Sequence, residues 1–154
     1  KTALQHASGE WFILIPADLA IEPSELRRYI AAAPQADVLV GLRSDLSDYN
    51  LLRKIVHHAN IFLIQRLFNM PLRQFQYISM YRTECLRSIE IEYWRSAFFL
   101  AEILIKARDM GCRLVEVEVL YAPRIAGRAT GAKLKLIFIT VRDLLRFWLR
   151  WLRQ

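Results

Sequence analysis

The chain has 154 residues, of which 55% are hydrophobic, and carries a formal net charge of +7. This length suits one domain that buries roughly two thirds of its unfolded surface, and no signal peptide is visible. A mean hydropathy of +0.17 is high for a freely soluble domain, which indicates that part of the surface meets lipid or another chain.

The positive charge is concentrated at the carboxyl end. Residues 1–123 carry 14 Lys and Arg against 14 Asp and Glu, whereas residues 124–154 carry 8 against 1 and account for the whole net charge. Such a segment suits an anionic membrane surface, a phosphate-bearing ligand or nucleic acid. Nucleic acid is disfavoured because the sequence has no recognised reading motif or base-stacking platform.

Two cysteines, Cys85 and Cys112, have neither the spacing of metal ligands nor a disulfide framework around them. We predict two buried thiols in a reducing compartment.

A hydrophobic segment, residues 11–15, ends at Pro16 and is followed by Asp18. Five bulky apolar residues in a row predict a strand that is buried on both faces, in a parallel or mixed sheet covered by helices. Pro16 cannot donate a hydrogen bond to a neighbouring strand and should end this one. Asp18 would then lie at the carboxyl end of a central strand, where open α/β sheets bind ligands. A turn or capping role is the alternative.

Hydrophobic periodicity and turn residues predict the other elements. From the amino end these are a helix tail over residues 1–9, helices over 23–33 and 51–68 around a strand over 37–41, a strand over 77–82, helices over 84–89 and 97–110, a strand over 114–119, and a helix over 133–152. The alternation of strands and helices predicts an α/β fold with a mixed, mostly parallel sheet flanked by helices.

In the two helices that flank the second strand, the period of 3.6 residues assigns an inward face. The residues expected on it are Leu26, Tyr29 and Ile30 in the first helix, and Leu52, Ile55, Val56, Ala59, Phe62, Leu63 and Leu67 in the second. His57 and His58 are adjacent there and point about 100° apart, so they are poor joint ligands for one metal ion.

Arginines occur where a phosphate could be bound. Arg43 ends the second strand, and its guanidinium offers a bidentate fork for phosphate, with an ion pair to Asp45 or Asp48 as the alternative. Arg124 and Arg128 lie in a glycine-containing loop that could close on a phosphate.

The last predicted segment, residues 133–154, is an amphipathic helix with a broad apolar face and a narrow cationic stripe, and its helical period is clear over residues 133–152. The apolar residues are Ile137, Val141, Leu144, Leu145, Trp148 and Leu152, and the cationic ones are Arg142, Arg146, Arg150 and Arg153. Because charges recur every four residues, this helix cannot span a bilayer by itself. We predict that it lies in a membrane interface, with docking on its own domain as the alternative.

Several short stretches occur in a recognisable order along nearly the whole chain. They are residues 7–11, residues 17–19 with Pro23, residues 41–43, Arg53 and Asn60, residues 81–84, Glu102, Gly111, residues 116–119 and residues 123–127. Together they resemble the carboxyl-terminal two thirds of the family 2 glycosyltransferases with a GT-A fold. The branch most similar contains dolichyl-phosphate mannosyltransferase and other polyprenyl-phosphate glycosyltransferases.

The resemblance implies a partial, Rossmann-like GT-A domain over residues 1–132 that lacks its amino-terminal nucleotide-binding part, so we expect a piece of a longer protein. It implies an enzyme that transfers a sugar from a nucleotide-sugar donor to a membrane lipid (polyprenyl) phosphate. We expect that protein at the cytoplasmic face of a membrane, bound peripherally or through segments outside this chain.

The resemblance also implies roles for individual residues. Asp18 corresponds to the second aspartate of the family's Asp-x-Asp motif and would bind Mg²⁺ or Mn²⁺. Arg43, Arg124 and Arg128 would bind phosphate, and Glu102 would lie near the reacting centre as a catalytic residue.

Two departures from the family pattern remove carboxylates. Pro16 replaces the first aspartate of the metal motif, and Gln74 replaces an aspartate that usually precedes the third strand. Ala129 stands where a serine is common. These changes leave a second hypothesis open, in which the chain is a noncatalytic, degenerate homologue that binds a membrane or a partner protein.

Overall fold

The computed structural model describes residues 2–15, 21–43, 49–120 and 134–153. Asp18, Arg124 and Arg128 lie outside these ranges. The described elements are α1 (Thr2–His6), β1 (Trp11–Ile13), α2 (Leu26–Ala32), β2 (Val38–Arg43), α3 (Leu51–Phe68), β3 (Ser79–Arg82), α4 (Thr83–Arg87), α5 (Phe99–Asp109), β4 (Leu114–Val119) and α6 (Leu134–Trp151). Short 3₁₀ turns, Pro23–Glu25 and Ala33–Gln35, flank α2.

The four described strands form one mixed sheet in the order β1-β3-β2-β4. β2 and β4 are parallel, whereas β3 runs antiparallel to both β1 and β2. The predicted mixed α/β fold is therefore confirmed. Three strands point the same way, but two of the three adjacent pairs are antiparallel because β3 lies between β1 and β2.

The first strand differs from its prediction. β1 comprises Trp11–Ile13 rather than residues 11–15, and its residues are half-buried. In the described sheet it pairs with β3 alone and therefore lies at an edge. An edge strand has a neighbour on one side only, so its side chains stay partly exposed. The strand that leads to Asp18 is thus not a central strand of the described sheet.

Two apolar clusters cover the two faces of the sheet. Side chains alternate along β2, so Val38 and Val40 face one cluster while Leu39 faces the other. The first cluster contains residues of α3, α5 and α6, and the second contains Tyr29 of α2. The sheet is therefore a central layer with helices on both sides.

Helix α3 has the predicted bounds, but the predicted inward face is only partly correct. Its buried residues are Ile64 and Phe68, near its carboxyl end. The side chains predicted inward but found exposed are Leu52, Ile55, Ala59 and Phe62, together with Ile30 of α2. The hydrophobic pattern of α3 predicts a wide apolar surface, but the core covers only the part near the carboxyl end of the helix.

Helix α6 docks on the domain through one face. Leu144 and Phe147 are buried in the first cluster, and Trp151 Nε1 donates a 2.8 Å hydrogen bond to Asp109. The outward side exposes a second row of apolar residues, which we call the outer stripe: Leu134, Phe138, Val141, Leu145, Leu149 and Leu152. Docking on the domain thus accounts for one half of the predicted apolar face. Within the described residues, no helix is long and apolar enough to cross a membrane.

Candidate functional site

A cavity of about 400 Å³ opens between α3, the first half of α6 and the sheet. This volume lies in the usual range of ligand sites, about 300–1,000 Å³. Apolar side chains along it come from α3, α5 and α6, from the residue after β1 and from the region around β3. They include Val56, Leu63, Leu100, Leu136, Ile137 and Leu14.

The charged part of the lining is a cluster around one aromatic ring. The guanidinium of Arg53 lies 3.7 Å from the centre of the Tyr49 ring, and that of Arg43 lies 5.0 Å from it. The His57 ring meets the same tyrosine edge-on at 5.7 Å. The π electrons of the ring attract both guanidinium groups, and this cation–π attraction keeps the two positive charges beside the cavity. We call these four residues the arginine–tyrosine cluster.

Local sequence explains why the helical members of this cluster are side by side. Asn50 caps α3, and its Oδ1 accepts a 2.9 Å hydrogen bond from the backbone N–H of Arg53. This contact starts the helix at Leu51. Arg53 and His57 are then four residues apart and lie on the same side of α3.

Gln74 connects Arg43 to the segment that precedes β3. Its side chain is buried, and Oε1 accepts a 2.5 Å hydrogen bond from the backbone N–H of Arg43. The sequence singled out both residues separately, Arg43 as a phosphate ligand and Gln74 as a departure from the family. The structure brings them together in the cavity lining.

The described charged side chains that line the cavity are positive. Burial lowers the pKa of His57, and the neighbouring His58, Arg43 and Arg53 lower it further. Among the described residues, the lining contains two arginines and no aspartate or glutamate. This arrangement favours an anionic ligand.

Tyr49 was missed by the sequence analysis, and Arg53 was noted only as part of the resemblance. Tyr49 precedes α3 and belongs to no periodic pattern, so its importance follows only from its position beside the two arginines.

The structure places Glu102 in the core and outside the cavity lining. Its Oε1 accepts hydrogen bonds from the backbone N–H of Glu92 and from Lys106 Nζ, both at 2.9 Å, and Oε2 accepts one from the N–H of Tyr93 at 2.9 Å. A fully buried carboxylate held by three donors is not presented to a substrate. These contacts indicate a structural role for Glu102 in anchoring the segment around Tyr93, and its catalytic role stays a prediction.

The predicted metal ligand, Asp18, lies outside the described residues, as do the predicted phosphate ligands Arg124 and Arg128. In the described ranges, no group of three or more His, Cys, Asp or Glu could hold a metal ion. Mg²⁺ and Mn²⁺ prefer carboxylate and other oxygen ligands, so the arginine-rich part of the lining that is described does not fit them. We derive no chemical step through a metal.

No protein-family model matches this chain. The chain is similar to the undecaprenyl-phosphate 4-deoxy-4-formamido-L-arabinose transferase of Edwardsiella ictaluri (strain 93-146), with 30% identity over 134 residues. The match covers 86% of the chain and 40% of that relative, so the chain spans less than half of the relative's length. The similarity supports a glycosyltransferase-like relationship, and the finer assignment to family 2 and the GT-A fold stays a prediction.

Proposed function

We propose that this chain is part of a glycosyltransferase of family 2 with a GT-A fold, which transfers a sugar from a nucleotide-sugar donor to a polyprenyl phosphate. The observation that carries the proposal is the cavity, in which the arginine–tyrosine cluster adjoins an apolar wall. A lipid phosphate has the same two parts, an anionic head and a hydrocarbon chain. The cavity is the proposed acceptor site.

The arginine–tyrosine cluster suits the phosphate head. Guanidinium groups form charge-assisted, bidentate hydrogen bonds with phosphate oxygens. Tyr49 lies against both guanidinium groups, so part of the entropy cost of ordering them is met before the ligand binds. A transferase needs its acceptor phosphate held in line with the donor, and fixed cations at the end of β2 and the start of α3 serve that purpose.

The apolar wall suits the hydrocarbon chain. Val56 and Leu63 of α3, Leu100 of α5 and Ile137 of α6 line the cavity. Burial of hydrocarbon surface contributes about 25 cal/mol for each Å² removed from water. Several isoprene units against this wall would therefore add to the affinity that the phosphate head supplies.

The outer stripe of α6 supports a position at a membrane surface. Its exposed apolar side chains lie beside Arg142, Arg146 and Arg153, the combination that interfacial helices present to anionic lipid. Two arginines of the predicted cationic stripe have carboxylate partners: Arg142 forms a 2.8 Å ion pair with Asp143, and Arg150 forms one of the same length with Glu92. We propose that the protein lies at the cytoplasmic face of a membrane, where the cavity beside α6 could receive a lipid acceptor.

The second candidate function is a noncatalytic homologue that binds lipid or a partner without transferring sugar. Gln74 favours it, because a neutral amide occupies the place of a family aspartate and the described lining has no carboxylate. A transfer assay separates the two functions. The full-length protein, given Mg²⁺ or Mn²⁺, labelled nucleotide sugars and farnesyl phosphate, would form labelled lipid only if it is an enzyme.

Acceptor binding is tested with the 154-residue chain by calorimetry, with farnesyl phosphate as the probe and farnesol and inorganic phosphate as comparisons. We expect Arg53→Gln to weaken binding of farnesyl phosphate about tenfold or more, since a charged hydrogen bond contributes about 1.5–3 kcal/mol. The control is Arg66→Gln, which makes the same change on α3 outside the cavity lining. Equal affinities in the two variants would overturn the proposed acceptor site.

A further inference from the structure

The two cysteines of the chain are neighbours in space. Cys85 and Cys112 are 27 positions apart in sequence, yet their Sγ atoms lie 2.6 Å from each other. A disulfide bond is about 2.05 Å long, so the two sulfur atoms are already close to bonding distance. Both side chains are only half-buried, which corrects the prediction of two buried thiols.

A helix-ending motif positions Cys112. Gly111 adopts φ +82°, a left-handed conformation that glycine adopts without strain. Its N–H donates to the carbonyl of Arg108 at 2.9 Å, and the N–H of Cys112 donates to the carbonyl of Ala107 at 3.0 Å. These two bonds are the Schellman motif, which ends α5 and fixes the backbone of Cys112.

One residue, Asp37, holds the backbone on both sides of the pair. Its carbonyl accepts a 2.8 Å hydrogen bond from the N–H of Arg82, just before α4, which contains Cys85. Its Oδ2 accepts another, also 2.8 Å, from the N–H of Arg113, next to Cys112. An Arg82–Asp37 ion pair at 3.3 Å reinforces the first contact. The two thiols are therefore positioned by the fold, and closing a bond between them requires little backbone movement.

We propose that Cys85 and Cys112 are a redox modification site, a dithiol that closes reversibly into a disulfide and ties α4 to the end of α5. A low-molecular-mass disulfide such as oxidised glutathione is the oxidant. One cysteine thiolate attacks it and releases a glutathione thiolate; the second cysteine then attacks the mixed disulfide and releases another. The two cysteines lose two electrons and two protons, and one glutathione disulfide becomes two thiols.

The environment makes this a slow exchange near neutral pH. Burial raises the pKa of Cys85 to about 12, and the hydrogen bond to Cys112 and the charge of Asp37 act in the same direction. Only the thiolate attacks a disulfide, so the rate of oxidation should increase with pH. Neither cysteine lines the cavity, so the modification site is separate from the proposed acceptor site.

The test equilibrates the folded chain with defined ratios of reduced and oxidised glutathione, blocks remaining thiols by alkylation, and measures the intact mass. We expect a monomer that has lost two hydrogen atoms and carries neither alkyl group nor glutathione. Cys85→Ser and Cys112→Ser should each retain one modifiable thiol. The control tests whether the fold positions the two thiols. The equilibrium constant for oxidation of the dithiol by glutathione disulfide should be at least about tenfold larger for the folded chain than for the chain in denaturant.

Accumulation of glutathione adducts or of disulfide-linked dimers in the wild-type chain would overturn the proposal. Equal equilibrium constants for folded and denatured chains would overturn it as well. We expect the oxidised chain to bind farnesyl phosphate with unchanged affinity. The intact mass reports disulfide formation whether or not farnesyl phosphate binds, so a failure of the proposed acceptor site would not affect this test.

Discussion

The side-chain oxygen of Gln74 accepts a hydrogen bond from the backbone N–H of Arg43 at 2.5 Å, which joins the end of β2 to the segment before β3. The resembled family usually carries an aspartate at this position. A neutral amide keeps the hydrogen bond to the backbone and adds no negative charge beside the arginine–tyrosine cluster. The described lining is consequently better suited to an anion than to a cation.

This contact predicts the effect of charge at position 74. Gln74→Glu retains the acceptor atom and adds a negative charge near Arg43 and Arg53. Repulsion of about 1–2 kcal/mol in a partly buried site should lower the affinity for farnesyl phosphate about tenfold. Calorimetry measures the change, and Gln35→Glu, an exposed position outside the lining, is the matched control. An unchanged affinity in Gln74→Glu would mean that the phosphate binds elsewhere.

Glu102 should affect stability and not ligand affinity. Glu102→Gln removes the ion pair between the carboxylate and Lys106. It also turns the amide NH2 group toward a backbone N–H that now donates to a carboxylate oxygen. Together these changes should lower the unfolding free energy by about 2–4 kcal/mol. Denaturant unfolding measures this, with Glu84→Gln on the exposed side of α4 as the control. Farnesyl phosphate affinity should stay within about twofold at a temperature where both proteins are folded. A stable variant with impaired binding or transfer would support the predicted catalytic role.

Gly41 should tolerate no side chain. A Cβ there would lie 2.2 Å from the Tyr29 hydroxyl oxygen and 2.6 Å from the carbonyl oxygen of Ile78, and it would disturb the 2.9 Å hydrogen bond between those two groups. Gly41→Ala should therefore lower the unfolding free energy by about 2–4 kcal/mol. The control is Gly9→Ala, where the added carbon would meet only the carbonyl oxygen of Trp11 at an ordinary 3.5 Å. Equal stability of the two variants would contradict this account of the packing around β2.

The outer stripe of α6 should bind anionic lipid. Leu145→Gln with Leu149→Gln should reduce binding to phosphatidylglycerol-containing vesicles about tenfold or more, since each leucine loses part of the roughly 2 kcal/mol available from full burial. The residual electrostatic attraction should fade between 0.1 M and 1 M salt, as the Debye length falls from about 10 Å to about 3 Å.

The matched control for α6 is Ile30→Gln with Met110→Gln, which removes two exposed apolar side chains elsewhere on the domain. Point variants are preferable to deletion of the helix, because Leu144 and Phe147 are part of the core and their loss would unfold the domain. If the leucine variant and the control co-sediment equally with the vesicles, the membrane contact lies outside α6.

The sequence by itself determined those elements whose signals are local. The bounds of α3 and β4 were predicted correctly, and Gly111 ends α5 as expected, because periodicity, caps and glycine conformation act within a few residues. Arg43 was placed correctly at the end of β2 for the same reason. The mixed α/β class followed from the alternation of such elements.

Only the tertiary structure decided which surfaces meet. The insertion of β3 puts β1 at an edge of the described sheet, the docking of α6 divides one apolar face into a buried and an exposed half, and the fold pairs Cys85 with Cys112. It also encloses Glu102 and gathers Tyr49, Arg43 and Arg53 around one cavity. A periodic pattern predicts that one face of an element is apolar. The surface that packs against this face is set by contacts between residues far apart in sequence, which local patterns do not encode.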